Sequence, residues 1–163
     1  MTAVSILFRQ GTISHAMLFP IDEVIERYAK DEELPPDALL RRYMAENKSD
    51  LATANKAFVA LKQFLFVCAT TKHHCSPSIA IDAMWHEFLM FSGEYYNFCL
   101  QRFGMVIHHH PTEMMMNENY RNTRNSALNI FGELDAKFWP NMAASGALCS
   151  GGDCSANCGD SGG

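Results

Sequence analysis

The segment between Leu51 and Thr70 carries the longest helical pattern in the chain and constrains the fold most. Its apolar residues recur at steps of three and four, so they share one face of a helix. Asp50 precedes it and is a preferred N-cap residue. The sequence therefore predicts a central helix over residues 51–70. The recurring apolar residues are Leu51, Ala54, Ala57, Phe58, Leu61, Leu65 and Cys68.

Shorter helical patterns flank the central helix, and Pro35-Pro36 breaks the chain between the first two. Strand-like patterns occur only near the N-terminus, at residues 4–8 and 13–19. We therefore expect an all-α fold, a single compact domain of about five helices with a short extended N-terminal segment. The other helical segments are predicted near residues 21–31, 37–48, 78–91 and 94–103, and from an N-cap at Thr112 to Trp139-Pro140.

The composition changes near residue 140. The chain has 163 residues, of which 48% are hydrophobic, and this suffices for one core without disulfides. Residues 1–140 are predicted to form that helical domain. Residues 141–163 are rich in Gly, Ser and Cys and cannot repay the entropy of ordering, so we expect a flexible tail. Its Cys149, Cys154 and Cys158 match no zinc-binding spacing, and their role is left open.

Charge and hydropathy limit the partners that we expect. With 13 basic and 18 acidic residues the net charge is −5, which disfavours nucleic acid as a partner. We find neither a signal-peptide pattern nor an uninterrupted apolar run of membrane-spanning length. The sequence thus predicts a cytoplasmic protein with no membrane partner. Its methionines and phenylalanines would serve a protein partner or a homo-oligomer interface as well as a core.

Histidines gather around the predicted helix at residues 78–91. Asp82 and His86 are four residues apart, so their side chains leave the same helix face. Such a pair can bind one metal ion, or the carboxylate can orient the imidazole. The run His108-His109-His110 follows about 22 residues later, close enough for the chain to fold back on this helix. In an extended connection, alternate histidines face opposite sides, so at most two of the three join His86.

We predict a metal site formed by Asp82, His86, His108, His109 and His110, with zinc or iron as the divalent cation. His86-Glu87 resembles the start of a zinc-protease helix, but Met90 stands where that motif requires a second histidine. Glu87 is thus a weak candidate for a general base. Whether His73-His74-Cys75 joins the same site is left open by the sequence.

One segment of the chain resembles a region shared by plant glycine-rich domain-containing proteins and short bacterial relatives. In that family an Asp-x-x-Trp-His helix leads to a Tyr, a Cys, a Gly and a closing histidine. The similarity covers about residues 58–111, and the Gly- and Cys-rich tail is similar in kind. The resemblance supplies no catalytic assignment and no plant-type signalling role. It singles out Asp82, Trp85, His86, Tyr95, Cys99, Gly104, His108 and His109.

Two functional hypotheses follow from these patterns. The first is a small cytosolic metal-binding protein, either handling metal or using an open coordination position for hydrolysis or oxidation. The second is a non-catalytic protein–protein interaction module, in which the His/Asp cluster is a structural hydrogen-bond network. Whether the chain is an enzyme is left undecided.

Overall fold

The computed structural model describes residues 20–29, 35–110 and 117–141. Within these ranges the protein is all-α, with six helices and no strand, which confirms the predicted class. The predicted extended segments, the predicted cap at Thr112 and the tail beyond Asn141 lie outside the described residues. The helices are α1 (Ile21–Ala29), α2 (Asp37–Asn47), α3 (Leu51–Thr70), α4 (Ile79–Met90), α5 (Ser92–Phe103) and α6 (Asn117–Phe131).

Helix α3 is the central element of the domain. It contacts α1, α2, α4 and α6, and ten of its side chains are buried. By length and hydropathy alone this helix could cross a membrane, but half of its apolar window is buried inside the domain. The predicted cap is confirmed, because the Thr53 amide donates to Asp50 Oδ1 at 2.7 Å.

Aromatic side chains fill the space between α3, α4 and α5. Phe58 of α3 packs edge-on against Phe88 of α4 and Phe98 of α5, with ring centroids 5.6 and 6.3 Å apart. Such tilted ring pairs add about 0.5–1.5 kcal/mol each beyond the burial of their surface. This core holds α4 and α5 rigidly beside each other, and it positions the polar face of α4.

The end of α6 differs from the sequence prediction. We expected the last helix to continue through Leu134 and Phe138 to Trp139, but it ends at Phe131. Gly132 follows with φ +76°, a left-handed conformation that stops a helix. Beyond it, Trp139 and Phe138 are still buried, since the chain folds back and Trp139 Nε1 donates to Gln63 on α3. The apolar spacing was thus a signal of burial and not of helix.

Candidate metal centre

Three metal-ligating side chains converge at the surface of α4. The carboxylate of Asp82 lies 2.8 Å from His109 Nε2 through Oδ1 and 3.6 Å from His86 Nδ1 through Oδ2. One ligand atom from each residue lies within 4.8 Å of the other two. Zinc binds nitrogen and oxygen at about 2.0–2.2 Å, so two ligands of one ion lie about 3.0–3.5 Å apart. The three side chains could therefore hold a divalent cation once their rings and carboxylate adjust to these distances.

Helix α4 supplies two of these ligands. Ser78 caps the helix by accepting a hydrogen bond from the Ile81 amide at 3.1 Å, which fixes the first turn just before Asp82. Asp82 and His86 are one turn apart, and both point away from the buried face formed by Met84, Trp85 and Phe88. The predicted pair on one helix face is therefore present.

His109 is the third member of this group, and its ring contacts two rings of α4. Its ring centroid lies 4.5 Å from that of Trp85 and 4.6 Å from that of His86. Only 11% of its side chain is exposed, against 55% for His86. Packing therefore fixes His109, whereas His86 is the solvent-facing member of the group.

The chain after α5 is anchored by a buried hydrogen-bond network. Trp85 Nε1 donates to the Tyr95 hydroxyl at 3.0 Å, and that hydroxyl donates to the carbonyl of Ile107. Gly104 ends α5 with φ 68°, a left-handed value that favours glycine, and so turns the chain toward α4. These contacts place His109, two residues beyond Ile107, against Asp82.

Burial governs the ionisation of this network. It raises the pKa of the Tyr95 hydroxyl far above its ordinary value, with a further increase from the neighbouring Cys99 thiol. Burial likewise raises the pKa of Cys99. Both groups stay protonated at neutral pH, so the tyrosine keeps its donor hydrogen for Ile107. Trp85 and Tyr95 thus belong to the buried core and also carry this polar connection.

The histidine run contributes one member to the converging group. His109 joins Asp82 and His86, whereas the exposed His108 and His110 line the neighbouring cleft and lie outside the group. We expected at most two of the three histidines to join His86; one of them, His109, lies in the group, and all three line the cleft. The hydrogen bond from Tyr95 to the Ile107 carbonyl fixes the backbone two residues before His109, and this brings His109 against α4.

Glu87 has a different partner. Its carboxylate forms an ion pair with Arg42 of α2, and the residue does not line the cleft beside the metal group. The position directly after His86 therefore faces away from the site. This agrees with the failure of the zinc-protease motif at Met90.

A cleft of about 740 Å³ lies over the metal group. Its walls combine the apolar side chains of Phe64, Trp85 and Ile107 with polar residues from two parts of the chain. The sequence left open whether His73, His74 and Cys75 share a site with the histidine run. In the structure all three line this same cleft.

Cys75 stands in a polar cluster of its own. Its Sγ lies 3.4 Å from Thr71 Oγ1 and 3.7 Å from His73 Nδ1, and His73 Nε2 lies 3.0 Å from Ser126 Oγ on α6. Sequence analysis did not single out Ser126, since 53 residues separate it from His73 and nothing local marks it.

Over its described residues the chain forms an all-α domain of six helices, with a His/Asp cluster that could hold a metal ion. The chain matches the model of the UCP032817-like family over residues 22–131, and it therefore belongs to that family. All three converging residues lie within the matched region. Searches of curated proteins and of solved structures found no match. The family is uncharacterised, so membership assigns no activity.

Proposed function

We propose that this protein binds a divalent metal ion through Asp82, His86 and His109. The convergence of their three ligand atoms within 4.8 Å carries the proposal. Two imidazoles and one carboxylate form a set that suits zinc or ferrous iron. Catalytic zinc sites often have three protein ligands, and the two-histidine, one-carboxylate set occurs in non-haem iron enzymes.

The exposure of His86 supports metal binding over a purely structural role. Its contact with Asp82 at 3.6 Å is an ion pair only when the histidine is protonated and even then contributes at most about 1 kcal/mol, so this contact does little for the fold. His86 nevertheless points its Nδ1 at the carboxylate that already holds His109. Stabilisation of the fold alone does not explain why His86 joins this group, whereas a metal ion bound by all three side chains would explain it.

The cleft supports a metal with open coordination positions. Three protein ligands leave at least one position of a tetrahedral ion free, and the cleft offers space for a small molecule beside it. When bound, such an ion would polarise a substrate oxygen or activate water. Metal-dependent hydrolysis or oxidation in the cleft is therefore the catalytic form of this proposal, and metal handling is its non-catalytic form.

A non-catalytic interaction module is the second candidate. The contact between Asp82 and His109, together with the network of Trp85, Tyr95 and Ile107, supports it because these bonds fasten residues 104–110 to the domain. Under this alternative the cluster would stabilise a surface for a partner, and it would bind no metal with useful affinity.

Calorimetric titration of the metal-free, untagged full-length protein with Zn²⁺, and with Fe²⁺ under anaerobic conditions, distinguishes the candidates. We expect one ion per chain, with affinity lowered more than about tenfold in Asp82→Asn and His86→Ala. His108→Ala is the matched control, because His108 lines the cleft but lies outside the group. Binding in this control should stay within about twofold of wild type. Absence of saturable binding, or equal losses in all variants, would leave the interaction module.

A further inference from the structure

We propose that Cys75 and Cys68 form a hydroperoxide-reactive dithiol in the cleft, with Cys75 as the attacking sulfur and Cys68 as the resolving sulfur. Both residues line the cleft, Cys68 from α3 and Cys75 from the connection to α4. This site stands apart from the metal group and does not depend on the proposed metal function.

Cys68 and Cys75 lie in the same part of the cleft, at the C-terminal end of α3. Thr71, the C-cap residue, follows Cys68 by three positions, so both face the same side of the helix. Cys75 Sγ lies 3.4 Å from the Thr71 hydroxyl, and it lines the same cleft as Cys68. The chain thus folds back on the helix end and brings the later cysteine to the earlier one.

Electrostatics give the two cysteines different roles. A hydrogen bond from Cys68 is the largest cause that lowers the pKa of Cys75 to about 6, followed by Thr71, the charge of His73 and Thr123, against the opposing effect of burial. Burial raises the pKa of Cys68 well above its ordinary value, and its bond to Cys75 adds to this. At neutral pH one sulfur is a thiolate and the other a thiol, as in a pair of attacking and resolving cysteines.

His73 supports the thiolate from the cleft side. Its Nδ1 lies 3.7 Å from Cys75 Sγ, and Ser126 of α6 contacts its Nε2 at 3.0 Å, which orients the ring. His73 and Cys68 are the titratable groups in contact with Cys75, while α6 contributes the hydroxyls of Thr123 and Ser126. The cysteine therefore belongs to a cluster with a nucleophile, an orienting imidazole and a second thiol.

The reaction proceeds in two balanced steps. The Cys75 thiolate attacks an oxygen of the hydroperoxide, the O–O bond breaks, and the departing alkoxide takes a proton to become an alcohol, or water from hydrogen peroxide. Cys75 is then a sulfenic acid. Cys68 loses its proton and attacks the Cys75 sulfur, and the S–O bond breaks with release of hydroxide, which that proton converts to water. The two thiols lose two electrons and the peroxide gains them.

The test uses full-length protein in which Cys149, Cys154 and Cys158 are replaced by serine, so that cysteines outside the described residues do not react. A pulse of hydrogen peroxide is followed by alkylation, digestion and peptide mass spectrometry. We expect a disulfide between Cys68 and Cys75, with the buried Cys99 as an unreacted internal control. Oxidation at Cys99 equal to that at Cys75, or no disulfide between Cys68 and Cys75, would overturn the proposal.

Single substitutions assign the two roles. Cys68→Ser should accumulate the sulfenic acid on Cys75, which dimedone traps, whereas Cys75→Ser should leave Cys68 reduced. Oxidation of Cys68 in Cys75→Ser at the wild-type rate would contradict the assignment. Should either variant fail to fold, alkylation of the protein with both cysteines intact decides the question. Alkylation of Cys75 should be about fivefold faster than that of free cysteine near pH 6.5 and should reach half its maximal rate near pH 6. Alkylation of Cys68 should be slower than that of Cys75.

The same experiment in His109→Ala separates this proposal from the metal function. Peroxide reactivity should persist there and in the presence of a chelator, because neither cysteine belongs to the converging metal group. Loss of the disulfide in both conditions would show that the thiol chemistry requires the metal and would contradict an independent dithiol.

Discussion

Asp82 Oδ1 and His109 Nε2 lie 2.8 Å apart although 27 residues separate them in the chain. The same carboxylate turns its other oxygen toward His86, one helical turn away on α4. Asp82 therefore joins the chain after α5 to the exposed face of α4. Its two oxygens also make it the common member of any metal site at this position.

The two histidines should respond differently to substitution in the metal-free protein. His109→Ala removes a packed ring and the closest partner of Asp82, and we expect a loss of about 1–3 kcal/mol in the free energy of unfolding. His86→Ala removes an exposed ring and should cost less than about 1 kcal/mol. Urea denaturation with a chelator present measures both. A larger loss in His86→Ala than in His109→Ala would contradict the described geometry.

Tyr95→Phe tests the buried network. The substitution leaves Trp85 Nε1 and the Ile107 carbonyl without their partner, and an unsatisfied buried polar group costs about 1–3 kcal/mol. Denaturant unfolding should show a loss in this range. Tyr96→Phe is the control, since Tyr96 is 46% exposed and should change stability by less than about 0.5 kcal/mol. Equal effects of the two substitutions would argue against the network.

Tyr95 should also govern part of the alkaline stability. Burial raises its pKa in the folded protein, so the folded state keeps a proton that the unfolded chain loses above about pH 10. Its contribution is therefore fully present below about pH 10 and declines as the pH rises further. Thermal unfolding from about pH 9 to 11 should show a smaller decline for Tyr95→Phe than for wild type. A decline of equal size would mean that other groups control it.

The backbone at Gly104 should be sensitive to a side chain. An alanine at φ 68° is strained by about 1–2 kcal/mol, and the displaced turn would also weaken the contact of His109 with Asp82. Gly93→Ala is the matched control, because nothing lies within 4 Å of its added Cβ and it is in helix α5. There we expect no loss, or a gain of about 0.5–1 kcal/mol. A neutral Gly104→Ala would show that another residue directs the chain.

The helical class and much of the site could be predicted because the signals are local. Spacing along one helix placed Asp82 and His86 together, and Asp50 marked the start of α3 through ordinary capping chemistry. Trp85 and Tyr95 were singled out by the resemblance to glycine-rich domain-containing proteins, which stays a prediction; in the structure these two side chains share a hydrogen bond.

The remaining features depend on contacts between distant segments. Nothing near His109 in the sequence selects it over His108 or His110; the selection comes from the hydrogen bond of Tyr95 to Ile107. Likewise, Ser126 meets His73 only because α6 packs on α3. Leu134 and Phe138 continue the helical spacing of apolar residues past Gly132, although the left-handed backbone at Gly132 ends the helix.

Whether Asp82, His86 and His109 hold a metal ion can be decided by measuring the metal content of the purified protein. Untagged wild type and His86→Ala would be expressed with zinc and iron supplied and analysed by inductively coupled plasma mass spectrometry, with unfolding measured in parallel. We expect about one ion per wild-type chain and little in His86→Ala, whose metal-free stability stays close to that of metal-free wild type. A wild-type protein without metal, or a variant that retains it fully, would contradict the claim.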